Sequence, residues 1–172
     1  MKLNKIVIAA SLALGMASVA HAAGQGDGTI TFNGSIIDAP CSINPNSVNQ
    51  TINLGQISNA ALENGGTSAP RNFQIDLENC ALTTAKTVTT TFTGAAGASG
   101  RLGITGTASG ASIALTDGAG KPIVLGTATA AQTLQNGNNT LNFSAYLQGD
   151  GATATIVPGD FQSVTDFTLA YL

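Results

Sequence analysis

Nucleophilic or metal chemistry in this chain would have to come from very few residues. Cysteine occurs twice, as Cys41 and Cys80, and histidine once, as His21. Ser-His-Asp and Cys-His arrangements need an imidazole to carry the proton, and His21 lies in an N-terminal stretch that reads as a leader. A Ser–Lys pair needs lysine at close spacing. No Ser-x-x-Lys exists, and Thr83-Thr84-Ala85-Lys86 comes nearest. Two carboxylates could hydrolyse a glycoside, but the nine acidic residues are scattered. Asp27, Asp117, Asp150 and Asp160 stand in turn-like contexts that suit hydrogen bonds from side chain to backbone. Two thiolates without histidine cannot complete an ordinary zinc site. Gly24-x-Gly26-x-Gly28 has no strand before it and no helix after it, so it is no phosphate loop. No catalytic residue, cofactor or metal is expected, and the protein reads as a non-enzyme.

Those residues sit in a chain of 172 residues, enough for one domain. Residues 1–22 have the make-up of a signal peptide. Lys2 and Lys5 precede an apolar run over 6–19 that is too short to cross a bilayer easily, and Ala20-His21-Ala22 offers small residues for cleavage. The cut is expected after Ala22, with Ala23 as the rival. Its removal leaves 150 residues, with four basic ones (Arg71, Lys86, Arg101, Lys121) against nine acidic, a net charge of −5. So few cations cannot build a basic face for phosphates, and nucleic acid is excluded as a partner. Export to an oxidising compartment makes a Cys41–Cys80 disulfide the expected fate of the only cysteine pair.

The exported part is rich in strand signals. Residues 29–36 alternate, with Ile30, Phe32, Gly34 and Ile36 on one face and Thr29, Thr31, Asn33 and Ser35 on the other. Further strands are expected over 50–54, 72–77, 87–93, 112–115, 122–125, 140–147 and 163–172. Gly, Asn and Asp clusters separate them, and 57–62 reads as a short helix or turn. Short strands with turn residues between them predict an all-β sandwich. In the last segment Phe167, Leu169 and Tyr171 share a face. Pro158-Gly159 upstream fits a type II turn, with Gly159 supplying a positive φ.

These residues together resemble a family. Alternation that runs into Ser35-Ile36-Ile37-Asp38-Ala39-Pro40-Cys41 is one feature. Leu54-Gly55-Gln56-Ile57, Leu77-Glu78-Asn79-Cys80 and Asn138-Asn139-Thr140-Leu141-Asn142-Phe143 with Tyr146 are others. Gly159 as fourteenth from the end and Tyr171 as penultimate residue complete the set. The sequence resembles major fimbrial subunits of the bacterial chaperone–usher pathway, of the type 1 and MR/P kind. It departs from that pattern at Leu172, where a polar residue is expected.

The resemblance implies an all-β fold, an incomplete immunoglobulin-like sandwich lacking its last strand. The domains would be a leader over 1–22, an N-terminal extension over 23–38 and a pilin domain over 39–172. Ile30, Phe32, Gly34 and Ile36 would form the donor strand that fills a neighbour's groove, with Gly34 allowing a close backbone approach. Gly159, Phe167, Leu169, Tyr171 and Leu172 would form the groove edge and the chaperone and usher contact. The cysteines would bridge the first two strands of the body. Implied partners are identical subunits in a filament, a periplasmic chaperone, an outer-membrane usher and other fimbrial subunits. The location implied is a cell-surface fimbrium reached through the periplasm. The alternatives are a self-contained secreted β-sandwich that binds a glycan or host surface, and a minor fimbrial adapter.

Overall fold

The computed structural model describes residues 28–172 and divides the protein into two units at Ile36/Ile37. The leader expected over 1–22 and its cut after Ala22 or Ala23 lie outside the described residues. Residues 28–36 of the first unit form neither helix nor strand, and all are exposed. The alternation over 29–36 therefore has no strand to show in this molecule. An extended segment becomes a strand only when a neighbour takes up its N–H and C=O groups.

In the second unit, β1 (Ser42–Ile43) leads into a one-turn helix α1 (Pro45–Val48). Asn44 caps that turn, accepting from the Asn46 N–H at 2.8 Å, and Pro45 suits its first position. There follow β2 (Arg71–Cys80), β3 (Thr87–Gly94), β4 (Thr105–Gly106), β5 (Ala111–Asp117) and β6 (Pro122–Ile123). The last four strands are β7 (Gln132–Thr133), β8 (Gly137–Gly149), β9 (Phe161–Gln162) and β10 (Thr165–Tyr171). The expected strand over 50–54 does not form. Residues 49–58 run as irregular backbone, and the turn signal at 57–62 appears as a 3-10 turn, Asn59–Ala61. The expected strand over 163–172 appears as β10, Thr165–Tyr171, and residues 161–162 ahead of it pair with β4.

Two main sheets result, one ordered β1-β2-β8-β5-β6 and one ordered β10-β3-β7. Their inner rows are those the period of two marks out. Ile75 and Leu77 of β2 are buried, as are Leu141, Phe143, Ala145 and Leu147 of β8, and Val88, Thr90 and Phe92 of β3. The Phe92 ring meets that of Phe143 edge-on at 5.1 Å, and Phe73 stacks on Phe143 at 5.5 Å. This aromatic cluster joins the two sheets, in offset and edge-to-face geometries suited to the ring quadrupoles. It completes the core of an immunoglobulin-like sandwich.

Cys41 and Cys80 are joined, beside the short β1–β2 ladder that pairs Ser42 with Glu78 and Ile43 with Leu77. Strict alternation from Ile75 and Leu77 would turn Cys80 outward. A bulge between Leu77 and Cys80, with Asn79 at φ 52°, shifts the row so that Cys80 points in. Asn is among the residues that accept this left-handed conformation most readily. No helix among the described residues is long and apolar enough to cross a membrane.

Candidate functional site

β10 is an edge strand. It pairs with β3 along its whole length, from Thr165 opposite Gly94 to Tyr171 opposite Val88, and with no other strand among the described residues. Beside it lies a groove of about 1010 Å³ within the second unit. One wall is the irregular segment 48–59 and the other is 156–167. The floor is apolar: Phe73, Ile75, Phe92, Leu102, Ile104, Ile113, Leu115 and Leu147 all line it. Phe73, Ile104, Leu54, Ile57, Ile156, Phe161 and Phe167 are only half-buried there.

The walls explain why the groove stays open. Residues 49–58 form no ladder with any strand among the described residues. One of the few local bonds in this stretch is from the Gly55 N–H to Asn53 Oδ1, at 2.8 Å. The opposite wall is sewn to 103–109 instead of closing the gap. Thr107 N–H donates to Asp160 O at 3.0 Å, and Asp160 N–H donates to Thr107 Oγ1 at 3.0 Å. Ser109 and Val157 exchange both main-chain bonds, and Ser163 Oγ donates to Gly103 O at 2.6 Å. The unladdered backbone of 49–58 and the free edge of β10, with half-buried apolar side chains between them, have the form of a sandwich short of one strand. Such an edge is costly to leave uncovered.

The expected edge residues separate. Gly159 and Phe167 line the groove. Leu169 and Tyr171 lie further along β10 in the same core-facing row, half-buried and outside the groove lining. Burial pushes the Tyr171 phenol above its ordinary pKa. Leu172 exposes its side chain, while its main-chain oxygen accepts from the N–H groups of Lys86 at 2.7 Å and Thr87 at 3.0 Å. Gly159 does not have the positive φ expected of a type II turn. It is needed for contact, because a β-carbon there would lie 2.7 Å from the Ala108 nitrogen.

In the first unit Ile30 is 77% exposed and Phe32 88% exposed, and Ile36 is fully exposed. Nothing lies within 4 Å of where a β-carbon on Gly34 would stand. Sequence reasoning missed Leu102 and Ile104 of the groove's floor and its first wall. Leu102 and Ile104 sit in a Gly-rich stretch with no clear period, and 48–59 has only weak alternation. The remaining phenylalanines lie in the core or the groove, so Phe32 is the only exposed phenylalanine among the described residues. No cluster of metal-ligating side chains occurs among the described residues.

Comparison with known proteins agrees with this geometry. Residues 30–171 match the family described as "Fimbrial protein". The sequence is 67% identical to the "Fimbria A protein" of Serratia marcescens and 55% identical to the "Major MR/P fimbria protein" of Proteus mirabilis (strain HI4320). Each match covers 99% of both proteins. Among solved structures it resembles a subunit of a chaperone–usher pilus, with TM-score 0.78 and 37% identity over 87% of this protein and 98% of that one. It also resembles the P pilus rod subunit PapA, with TM-score 0.70 and 34% identity over 78% of this protein and 100% of that one.

Proposed function

The chain belongs to the fimbrial protein family, which makes it a structural subunit of a surface pilus, and we propose that it polymerises head-to-tail by strand donation. In this reading residues 1–22 are the export leader, 23–38 the donor extension and 39–172 the acceptor domain. The row Ile30, Phe32, Gly34 and Ile36 of one copy enters the groove of the next. The observation that carries the reading is that one chain holds both an open apolar groove and an exposed alternating segment without a strand partner among the described residues.

The energetics favour such an exchange. Burying Ile30, Phe32 and Ile36 stabilises the contact by about 1.5–3 kcal/mol each. Each main-chain hydrogen bond adds about 0.5–1.5 kcal/mol. An eight-residue strand spans roughly 26 Å. Donor-strand complementation of pilins is itself a standing instance of recognition by strand addition, in which pockets read alternate side chains. Donor and acceptor surfaces differ, so the contact is heterologous and propagates instead of closing.

An open groove also needs cover before assembly. A periplasmic chaperone supplies that cover and hands the subunit to an outer-membrane usher, with the free edge of β10 from Phe167 to Tyr171 as the surface used and Leu172 at its end. Fimbrial subunits form extracellular pili together with other subunits, and the family is not an enzyme family.

The test is thermal unfolding of oxidised protein lacking residues 23–38, with and without a peptide of residues 26–38. The expected result is a marginal domain that the peptide raises greatly in melting temperature, with very slow dissociation. A truncated domain that is stable alone and ignores the peptide would overturn the reading.

A further inference from the structure

Three Asn–Gly steps occur in the sequence, Asn33–Gly34, Asn64–Gly65 and Asn136–Gly137. Such a step is chemically labile. Glycine has no β-carbon to hinder approach of its own nitrogen to the preceding side chain, and its backbone is free to turn. The reaction requires that rotation, so a backbone held in place suppresses it.

Two of the three steps are held. Asn136 Oδ1 accepts from the Leu82 N–H at 2.8 Å, and Gly137 begins β8 opposite Cys80. Asn64 sits at φ 56° inside a turn closed by the Gly66 N–H on Glu63 O at 3.0 Å, and Gly65 O accepts from Gln148 Nε2 at 3.4 Å. Asn33 is different. It lies in irregular, exposed backbone, with no hydrogen bond to its side chain or to Gly34 among the described residues. Open space surrounds Gly34.

We propose that Asn33–Gly34 is a self-modification site that inactivates unassembled subunits as strand donors. The Gly34 main-chain nitrogen attacks the carbonyl carbon of the Asn33 side-chain amide. A new N–C bond closes the ring as the Gly34 nitrogen gives up its proton, the original C–N bond of that amide breaks, and the amide nitrogen leaves as ammonia with its own two protons and that one. Water then opens the succinimide at either carbonyl, giving aspartate or isoaspartate. No oxidant or reductant is involved.

The two products differ in consequence, and this step of the inference rests on the strand-donor reading. Aspartate keeps the backbone spacing and adds one charge to the row of Thr31 and Ser35. Isoaspartate routes the backbone through the β-carbon and inserts one extra backbone atom between Phe32 and Gly34. Side chains alternate with a period of two, so the insertion breaks the match of Ile30 and Phe32 with Ile36 on one face. A strand already laddered into a groove reacts only when it opens. Assembly thus protects Asn33, and delay consumes it.

The experiment follows the oxidised protein spanning 23–172 at mildly alkaline pH, as dilute monomer and as assembled filament. Peptide mass spectrometry reads the amide-to-acid change at each Asn–Gly step, and enzymatic isoaspartate methylation reads the rearranged product. Conversion at Asn33 in the monomer is expected to outpace Asn136 by at least about tenfold, and to slow by a similar factor in filaments. Aged monomer should lose polymerisation in proportion to isoaspartate, whereas fresh Asn33→Gln should polymerise and resist ageing, and fresh Asn33→Asp should still polymerise. Equal rates at Asn33 and Asn136 in the monomer would overturn the site. Rapid conversion in both monomer and filament would leave the site standing and overturn the strand-donor reading. Full polymerisation by isoaspartate-bearing subunits would overturn the inactivation.

Discussion

Gly159 is pressed against Thr107 so closely that a β-carbon on it would come 2.7 Å from the Thr107 carbonyl carbon. The neighbour is main chain, which does not swing aside as the tip of a side chain does. The same two segments are tied by paired bonds between Thr107 and Asp160. Gly159→Ala must therefore push the groove wall off residues 107–108. The expected cost is about 1–3 kcal/mol, read as a lower midpoint in urea unfolding. Gly28→Ala, which meets nothing within 4 Å, should stay within about 0.5 kcal/mol of the parent.

Phe32 separates folding from assembly. Its ring is exposed, so Phe32→Ala should leave the unfolding midpoint of dilute monomer within about 0.5 kcal/mol of the parent. Complementation of a truncated acceptor by the 26–38 peptide should weaken by about 1.5–3 kcal/mol, measured by competition between parent and variant peptides. A loss of monomer stability instead would place Phe32 in the fold of its own subunit.

Asp150 gathers the loop over 97–101 onto the sheet. Its Oδ1 accepts from Arg101 Nη2 at 3.1 Å and from Ser112 Oγ at 2.6 Å, while Ser112 Oγ accepts from the Ala98 N–H at 3.1 Å. Both charged side chains are mostly buried, so solvent screens this pair less than a surface one. Asp150→Ala is expected to cost about 1–3 kcal/mol by stranding its donors. A double-mutant cycle with Arg101→Met should return a coupling of about 0.5–3 kcal/mol. Additivity would assign the cost to Ser112 alone.

Tyr171 gives the fold an alkaline limit. Burial raises its phenol pKa above the ordinary 10.0, so the folded state holds its proton where the unfolded state has lost it. That contribution is fully present below pH 10.0 and is lost as pH rises through the folded-state value. Unfolding midpoints measured across this range should fall for the parent and fall less for Tyr171→Phe.

Much of the fold was legible because the period of two is a local property of the sequence. The rows Phe73-Ile75-Leu77, Leu141-Phe143-Ala145-Leu147 and Phe167-Leu169-Tyr171 can be read without knowing what they face. The same holds for Ile30, Phe32 and Ile36. The cysteine pair was equally legible, since two cysteines leave one possible bridge. Where alternation is weak, at 50–54, the expected strand failed, because no neighbour takes up its main-chain groups.

The sequence by itself determined the class of fold, the bonded cysteines, the shared row of Ile30, Phe32 and Ile36, and the absence of an imidazole beyond residue 22. Tertiary structure alone decided that a groove exists. Its walls come from 48–59 and 156–167 and its floor draws on Leu102, Ile104 and Ile113, segments far apart in sequence. It also decided that Asn79 bulges to turn Cys80 inward, and that Gly159 serves a close approach and not a turn. Strand period depends on neighbours in sequence. A missing strand is a property of which edges remain unpaired once every other ladder has formed, and that depends on non-local pairing.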